Sequence, residues 1–360
     1  MFEKHEELVQ QGYLSKSELD DLVLYNYTDK CTFDNHWNDI TLNSRGTIYD
    51  KTTGKVVFLA LPKFFNLNQR PEVEEQNLPD LPFQVFEKVD GSWGTLYRHN
   101  GEFKIATRGS FYSEQAIKAT EMLKKHDLSE LSDNITLLFE IIYPENKIIV
   151  DYGQKEELVL LTAMDTDTLE ELTDYEVNDY ANRFGFRRPL TFNISKIQYI
   201  KKAAETLSPS QEGWVIRYSN GLRLKIKGQE YMKLAKFKYY MSPLSVWEAL
   251  KEGKIEERLA ECPDEFHEEL RGIVKKLRIQ YHLVFGRLND DMAKRCLMAD
   301  ETNKETRKCV AQDIGTFKPP YKNYYFAMLS KNFDVADEII YNIIEPKSNK
   351  FVGIEEIFQK

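Results

Sequence analysis

"FEKVDGSWGTLY", residues 86–97, places a lysine inside an apolar segment, two residues before Asp-Gly. Val85, Phe86, Val89, Trp93, Leu96 and Tyr97 give both flanks a strand-like texture, and Asp90-Gly91 reads as a turn between them. Lys88 then has two readings. It is a solvated residue beside a turn, or it is a nucleophile held at a strand end. The KxDG tetrapeptide does not choose between them, since chance alone places it in about one chain of this size in ten.

The surrounding sequence extends the strand pattern. Asn100-Gly101 marks a hairpin ahead of "FKIATRGS",. "ITLLFEIIY" and "NKIIVDY" flank Pro144-Glu145 and read as a second hairpin. "ELVLLTAMD" reads as a buried strand. "GWVIRY", Ser219-Asn220-Gly221 and "LRLKIKG" read as a third hairpin,. Two helices interrupt them: one N-capped by Ser113, and one over "TDYEVNDYANRFG" ending at a C-capping Gly185,. After about Met241 the apolar spacing turns helical, in "PLSVWEALKEGKIEERLAE", "DEFHEELRGIVKKLRIQYHLVFGRL", "KETRKCVAQDI" and "DVADEIIYNII",. The expected fold class is α+β: antiparallel sheets with flanking helices over residues 1–240, then an all-helical domain over 241–360.

Composition sets the outer limits. With 360 residues, 42% hydrophobic and 30% charged, the chain has the make-up of a two-domain soluble protein,. No run reaches the roughly 18 apolar residues of a membrane span. The charged start "MFEKHEELVQQ" has no signal-peptide core, and Cys31, Cys262, Cys296 and Cys309 form no CxxC pair. A cytoplasmic protein with reduced thiols is the expectation. The net charge of −9 argues against wholesale electrostatic binding of nucleic acid but leaves room for a local basic groove,.

Several residues have the chemistry such a groove needs. In "LRLKIKG", Leu222, Leu224 and Ile226 share one strand face, and Arg223, Lys225 and Lys227 the other,. Three cations in a row either guard an edge strand or cradle phosphates. A cation beside a lysine also favours its neutral form, the form that attacks phosphorus. Glu140, inside "LLFEIIY", and Glu212, at the entrance to "GWVIRY", are carboxylates that need a partner,. Each pairs with a nearby base or serves a ribose hydroxyl and a hydrated magnesium ion. Arg45 in "NSRGTIYD", Lys63 and Phe65 in "PKFFNLN", Tyr25 in "LYNYT" and Arg108 before Gly109 read individually as strand-end or packing residues, or as nucleotide contacts,.

Taken in order, "EKVDGS", "FEIIY", "EGWVIRY" and "LKIKG" resemble the covalent nucleotidyltransferase superfamily of polynucleotide ligases and capping enzymes. "SRGTIYD", "KFFNLN", "TRGSFYSEQA" and "LKIKGQEY" narrow the resemblance to the ATP-dependent RNA ligase 1 family of T-even phages, over about residues 20–235. The resemblance implies three steps. Lys88 takes AMP from ATP, AMP passes to an RNA 5′-phosphate, and an RNA 3′-hydroxyl displaces it to seal the strand. It implies a nucleotide site of Tyr25, Arg45, Lys63, Phe65, Gly91, Arg108, Glu140, Lys225, Lys227 and Tyr231. Asp90 serves the later steps, and Glu212 acts through metal-bound water. Magnesium, with manganese as a substitute, would be held by Glu140, Glu212 and, in the helical domain, Glu256. Arg108 stands where relatives often carry lysine, which keeps the charge but changes the contact geometry.

The expected partner is RNA with 5′-phosphate and 3′-hydroxyl ends, cleaved tRNA among them, bound by a monomer. The helical domain would contribute RNA choice. "RGIVKKLRIQYH" and "KPPYKNYYF" mix basic and aromatic residues suited to RNA, or equally to a solvated helix face and tyrosine packing,. The competing functions are a DNA ligase, an mRNA guanylyltransferase and a nucleotide-binding RNA adaptor without activity.

Overall fold

The computed structural model describes residues 2–262, 266–296, 304–347 and 350–353. The chain divides into two units, Met1–Leu234 and Ala235–Lys360, and the helix Gln229–Tyr240 runs across the division.

The first unit holds fourteen strands: β1 (Leu14–Leu19), β2 (Leu22–Tyr27), β3 (Arg45–Asp50), β4 (Val56–Phe58), β5 (Phe65–Asn66), β6 (Phe83–Glu87), β7 (Ser92–His99), β8 (Glu102–Thr107), β9 (Ile135–Ile142), β10 (Glu157–Asp165), β11 (Glu170–Glu171), β12 (Thr191–Phe192), β13 (Gly213–Tyr218) and β14 (Arg223–Lys227). They form three sheets, ordered β1-β2-β3-β4, β11-β10-β9-β7-β8 and β12-β6-β13-β14-β5. Every pairing is antiparallel except β14 with β5.

Apolar patterning explains how the layers stack. The run Ile135–Ile142 is apolar on both faces because β9 is covered on both. Leu137, Phe139 and Ile141 pack with Ala119, Met122, Val177 and Ala181 of the helices Glu114–Leu123 and Asp174–Phe184. Leu138, on the opposite face, packs with Leu24, Ile48 and Phe58 of the first sheet. The third sheet has one apolar face, where Val85, Trp214, Ile216, Leu224 and Ile226 meet Ile197, Ile200 and Ala204 of the helix Ile197–Glu205. Strand alternation therefore turns Val215, Lys225 and Lys227 away from that core.

Two sequence expectations change here. Asp90-Gly91 does not close a hairpin. β6 pairs with β12 and β13, and β7 pairs with β8 and β9, so the chain crosses between two sheets at this point. Glycine is required because a Cβ at residue 91 would lie 2.5 Å from the Ile141 carbonyl oxygen. "NKIIVDY" is also not a strand. β10 takes the place beside β9, and the backbone N–H groups of Ile149 and Val150 donate to Asp90 Oδ2, each at 2.8 Å, instead of to a sheet neighbour.

The second unit is helical: Pro243–Lys251, Ile255–Glu261, His267–Cys296, Lys304–Gly315, Tyr321–Leu329 and Phe333–Ile343. Its core gathers Val246, Trp247, Leu277, Val284, Tyr324 and Ile340. Tyr324 and Tyr325 of "KPPYKNYYF" are buried there and donate hydrogen bonds to Asn289 and Asp291. They serve packing, whereas Arg271, Lys275 and Arg278 remain exposed. Cys31 and Cys309 are free thiols, and the Cys296 side chain lies outside the described residues. Among the described residues, no helix is long and apolar enough to cross a membrane.

Candidate nucleotide site

A cavity of about 640 Å³ lies in the first unit, lined from both the second and third sheets and by Asn26 and Arg45 of the first. That volume falls in the range of small-molecule sites. Lys88 enters it one residue beyond β6, where its backbone N–H donates to the Gly213 carbonyl at 2.9 Å. Gly213 has φ 142°, and a Cβ there would lie 2.1 Å from the Ile226 carbonyl oxygen, so the strand contact that holds Lys88 depends on glycine,.

The chemistry centres on Glu212, which is 3% exposed. Its Oε2 lies 2.7 Å from Lys88 Nζ, and its Oε1 lies 2.8 Å from Lys227 Nζ. Shared between two lysines, this buried carboxylate avoids the cost of an unpaired charge. Glu140 Oε1 accepts from the Gly91 N–H at 3.1 Å. Burial pushes its carboxyl up to about 7, and the nearby charge of Glu212 adds to the shift; Lys88, Arg45 and the Gly91 hydrogen bond only partly offset it. Lys225 is brought down to about 6, first by burial and then by Lys63, Lys88, Arg45 and Lys227 around it.

A second cluster surrounds Tyr27. Arg108 Nη1 donates to Tyr27 Oη at 3.0 Å, and Lys63 Nζ lies 5.1 Å from the ring centre. Burial alone would raise the phenol's pKa. Arg45, Arg108 and Lys63 together outweigh it and hold the phenol below its usual value. Arg45 is clamped between rings, its Cζ 4.0 Å from the centre of Trp93 and 5.3 Å from that of Phe64,.

Lys88, Asp90, Gly91, Glu212, Lys225, Lys227, Tyr231, Arg45, Arg108 and Glu140 all line the one cavity. Lys63 stands just behind, within the charge field of Lys225 and Arg45. Three named residues are placed otherwise. Tyr25 is buried away from the cavity, donating to Glu6 Oε1 at 2.8 Å. Phe65 is buried in the core beneath Lys63, 5.6 Å from its Nζ. Glu256 sits exposed in the first turn of Ile255–Glu261, in the helical unit. Among the described residues, no group of three or more His, Cys, Asp or Glu side chains could hold a metal directly. Arg223, expected beside Lys225 and Lys227, instead pairs with Glu171.

Sequence reasoning passed over Asn26 and Tyr27, and took Trp93 only as part of a strand. The ladder between β2 and β3 slips between Tyr25 and Asn26, so Asn26 comes opposite Arg45, and a bulge of this kind re-aims the side chains around it. Asp90 also differs from a substrate-facing acid. Its Oδ1 accepts from Tyr231 Oη at 2.8 Å, its Oδ2 from Ile149 and Val150, and its own N–H donates to Tyr152 Oη at 2.9 Å.

Layered sheets around a lysine-bearing, nucleotide-sized basic cavity define a protein of the nucleotidyltransferase class. A family model described as RNA ligase, of the T4 RNA ligase 1 type, matches residues 43–240, more than half of the chain, and the chain belongs to that family. A candidate RNA ligase of Thermovibrio ammonificans is 30% identical over 173 residues, 46% of this chain and 44% of that protein. A candidate bifunctional polynucleotide kinase/RNA ligase of Autographa californica nuclear polyhedrosis virus is 26% identical over 242 residues, 60% of this chain and 34% of that protein. The matches thus span less than half the length of either relative. The solved Naegleria gruberi RNA ligase with pyrophosphate is 20% identical with a TM-score of 0.41, covering 49% of this chain and 58% of that one.

Proposed function

We propose that this protein is an ATP-dependent RNA ligase that joins 5′-phosphate to 3′-hydroxyl ends through AMP carried on Lys88. The observation that carries this reading is the pairing of Lys88 Nζ with buried Glu212 at 2.7 Å inside a basic, nucleotide-sized cavity. Leu161 and Val215 supply apolar walls for a base. On this reading Glu140 takes a ribose hydroxyl. Lys225 and Lys227 hold phosphate and balance the charge that develops as pyrophosphate leaves. Membership of the RNA ligase family favours this reading over DNA ligation or capping.

A divalent cation, magnesium or manganese, fits as a hydrated ion. Glu140 and Glu212 are close enough for each other's charge to be felt, which a dication relieves, while the lysines on Glu212 leave no bare carboxylate cage,. When bound, the ion would supply charge neutralisation at the phosphates. The viral relative's name couples a kinase to a ligase. A kinase makes the 5′-phosphates that a ligase needs, which supports a role in RNA repair, cleaved tRNA included. The exposed basic face of Arg271, Lys275 and Arg278 supports RNA contact by the helical unit.

The test is incubation with a divalent metal and α-labelled ATP, without RNA, beside Lys88→Ala. Label that stays on the denatured protein at Lys88 by mass spectrometry, and is absent from the variant, is expected. No adduct with any nucleotide would leave the inactive adaptor, and an adduct with GTP alone would point to capping.

A further inference from the structure

A second, smaller cavity of about 80 Å³ adjoins the first, and Phe64, Glu87, Trp93, Leu161 and Val215 line both. Lys88, Glu140, Lys225 and Lys227 line only the larger one. The small cavity therefore lies beyond the shared walls, away from the cations. Its collar is mostly apolar, because Leu61, Phe86 and Pro189 join those walls. Its far side is ionic but already paired. Glu171 pairs with Arg217 at 3.1 Å and with Arg223, and it accepts from Thr162 Oγ1 at 2.6 Å. Arg188 pairs with Asp174. None of these five charged side chains is more than 20% exposed. The space thus offers apolar contact beside charges that neutralise one another. A single water needs only about 10–15 Å³, so a small alkyl group fits.

The ligase reading, on which this inference rests, says what reaches that space. ATP enters with its phosphates among the lysines and its base between Leu161 and Val215, the two apolar walls that the cavities share. The edge of adenine farthest from the ribose carries the 6-amino group, and that edge then faces the small cavity. We propose that the small cavity is a binding site for a group carried on this nitrogen, so that Lys88 takes AMP from N6-alkylated ATP as well as from ATP. The reaction is otherwise the same. The Lys88 nitrogen bonds to the α-phosphorus and gives up a proton to water, while the bond to pyrophosphate breaks and pyrophosphate keeps the electron pair. Each added carbon exchanges water for apolar wall, an effect of up to about fourfold in affinity. A group too large for the space meets the paired charges behind it, and overpacking of this kind costs about tenfold or more.

The experiment uses the full-length protein with a divalent metal and follows the mass added at Lys88. The donors are ATP and its N6-methyl, N6-ethyl, N6-propyl and N6-naphthylmethyl forms. The half-saturating concentration should fall from the methyl to the propyl donor, and the naphthylmethyl donor should be used about tenfold less well or worse. Leu61 and Phe86 line the small cavity and not the large one, so they test it separately. Leu61→Ala should leave ATP unaffected and relieve the penalty on the naphthylmethyl donor. Phe86→Trp should leave ATP unaffected and impair the propyl donor. A half-saturating concentration that rises from methyl to propyl, or a naphthylmethyl donor used as readily as propyl, would overturn the proposal. So would variants that move ATP and its N6-alkyl forms by the same factor. The wild-type series decides the matter even where a variant does not fold. Failure of ATP itself to label Lys88 is a different result and strikes the ligase reading.

Discussion

At the scale of single residues, Lys225 shows how crowding among cations withholds a charge until substrate arrives. Its neighbours are lysines and an arginine, and its usual value of 10.5 falls to about 6. The unfolded chain therefore binds this proton more tightly than the folded one. Between about pH 6 and pH 10.5 the group makes folding more favourable as pH rises, and that stability is lost as pH falls toward 6,. Lys225→Met should flatten this part of the thermal-stability profile and raise the melting temperature of nucleotide-free protein near neutral pH, while impairing adenylylation. A profile no flatter than wild type would contradict the assignment. A bound triphosphate supplies the missing counter-charge, so nucleotide binding at pH 7–8 should take up a proton. Calorimetry in buffers of different ionisation enthalpy reads this directly, and the uptake should shrink in the variant.

At the scale of elements, the loop after β9 matters through its attachment to the crossover that carries Lys88. Asp90 receives the N–H groups of Ile149 and Val150 and the Tyr231 hydroxyl. Ser92 Oγ donates to Asn146 Oδ1 at 2.9 Å. The loop and the helix Gln229–Tyr240 are thus tied to one carboxylate two residues from Lys88. Asp90→Ala leaves three donors without their acceptor, and each orphaned buried group costs about 1–3 kcal/mol. The expected result is a denaturation midpoint lowered accordingly, with faster amide exchange at residues 149 and 150. Unchanged exchange at those two amides would refute the anchoring role and return Asp90 to direct contact with substrate.

At the scale of the whole molecule, the two units have separate cores. Leu277 is 1% exposed within the helical core, and truncating such a leucine costs about 2–5 kcal/mol. Leu277→Ala should lower the unfolding transition of the helical unit while Lys88 still accepts AMP, because the cavity's lining belongs entirely to Met1–Leu234. Loss of labelling in step with that transition would mean that the units fold as one.

The sequence alone specified what depends on local chemistry and period. Alternation put Lys225 and Lys227 opposite Leu224 and Ile226. Asn100-Gly101 closed a hairpin, Ser113 and Gly185 bounded helices, and the change to helical spacing near Met241 marked the helices that follow. Lys88, Glu140 and Glu212 stood out because charged residues in apolar runs need partners. Only tertiary structure decided which partners those were. Lys88 and Glu212 are 124 residues apart and meet because β6 pairs with β13. One extra residue in β3, Gly46, brought Asn26 opposite Arg45. Asp90 drew the amides of a segment that reads as a strand, because a buried carboxylate takes its donors from whatever backbone the fold brings within reach.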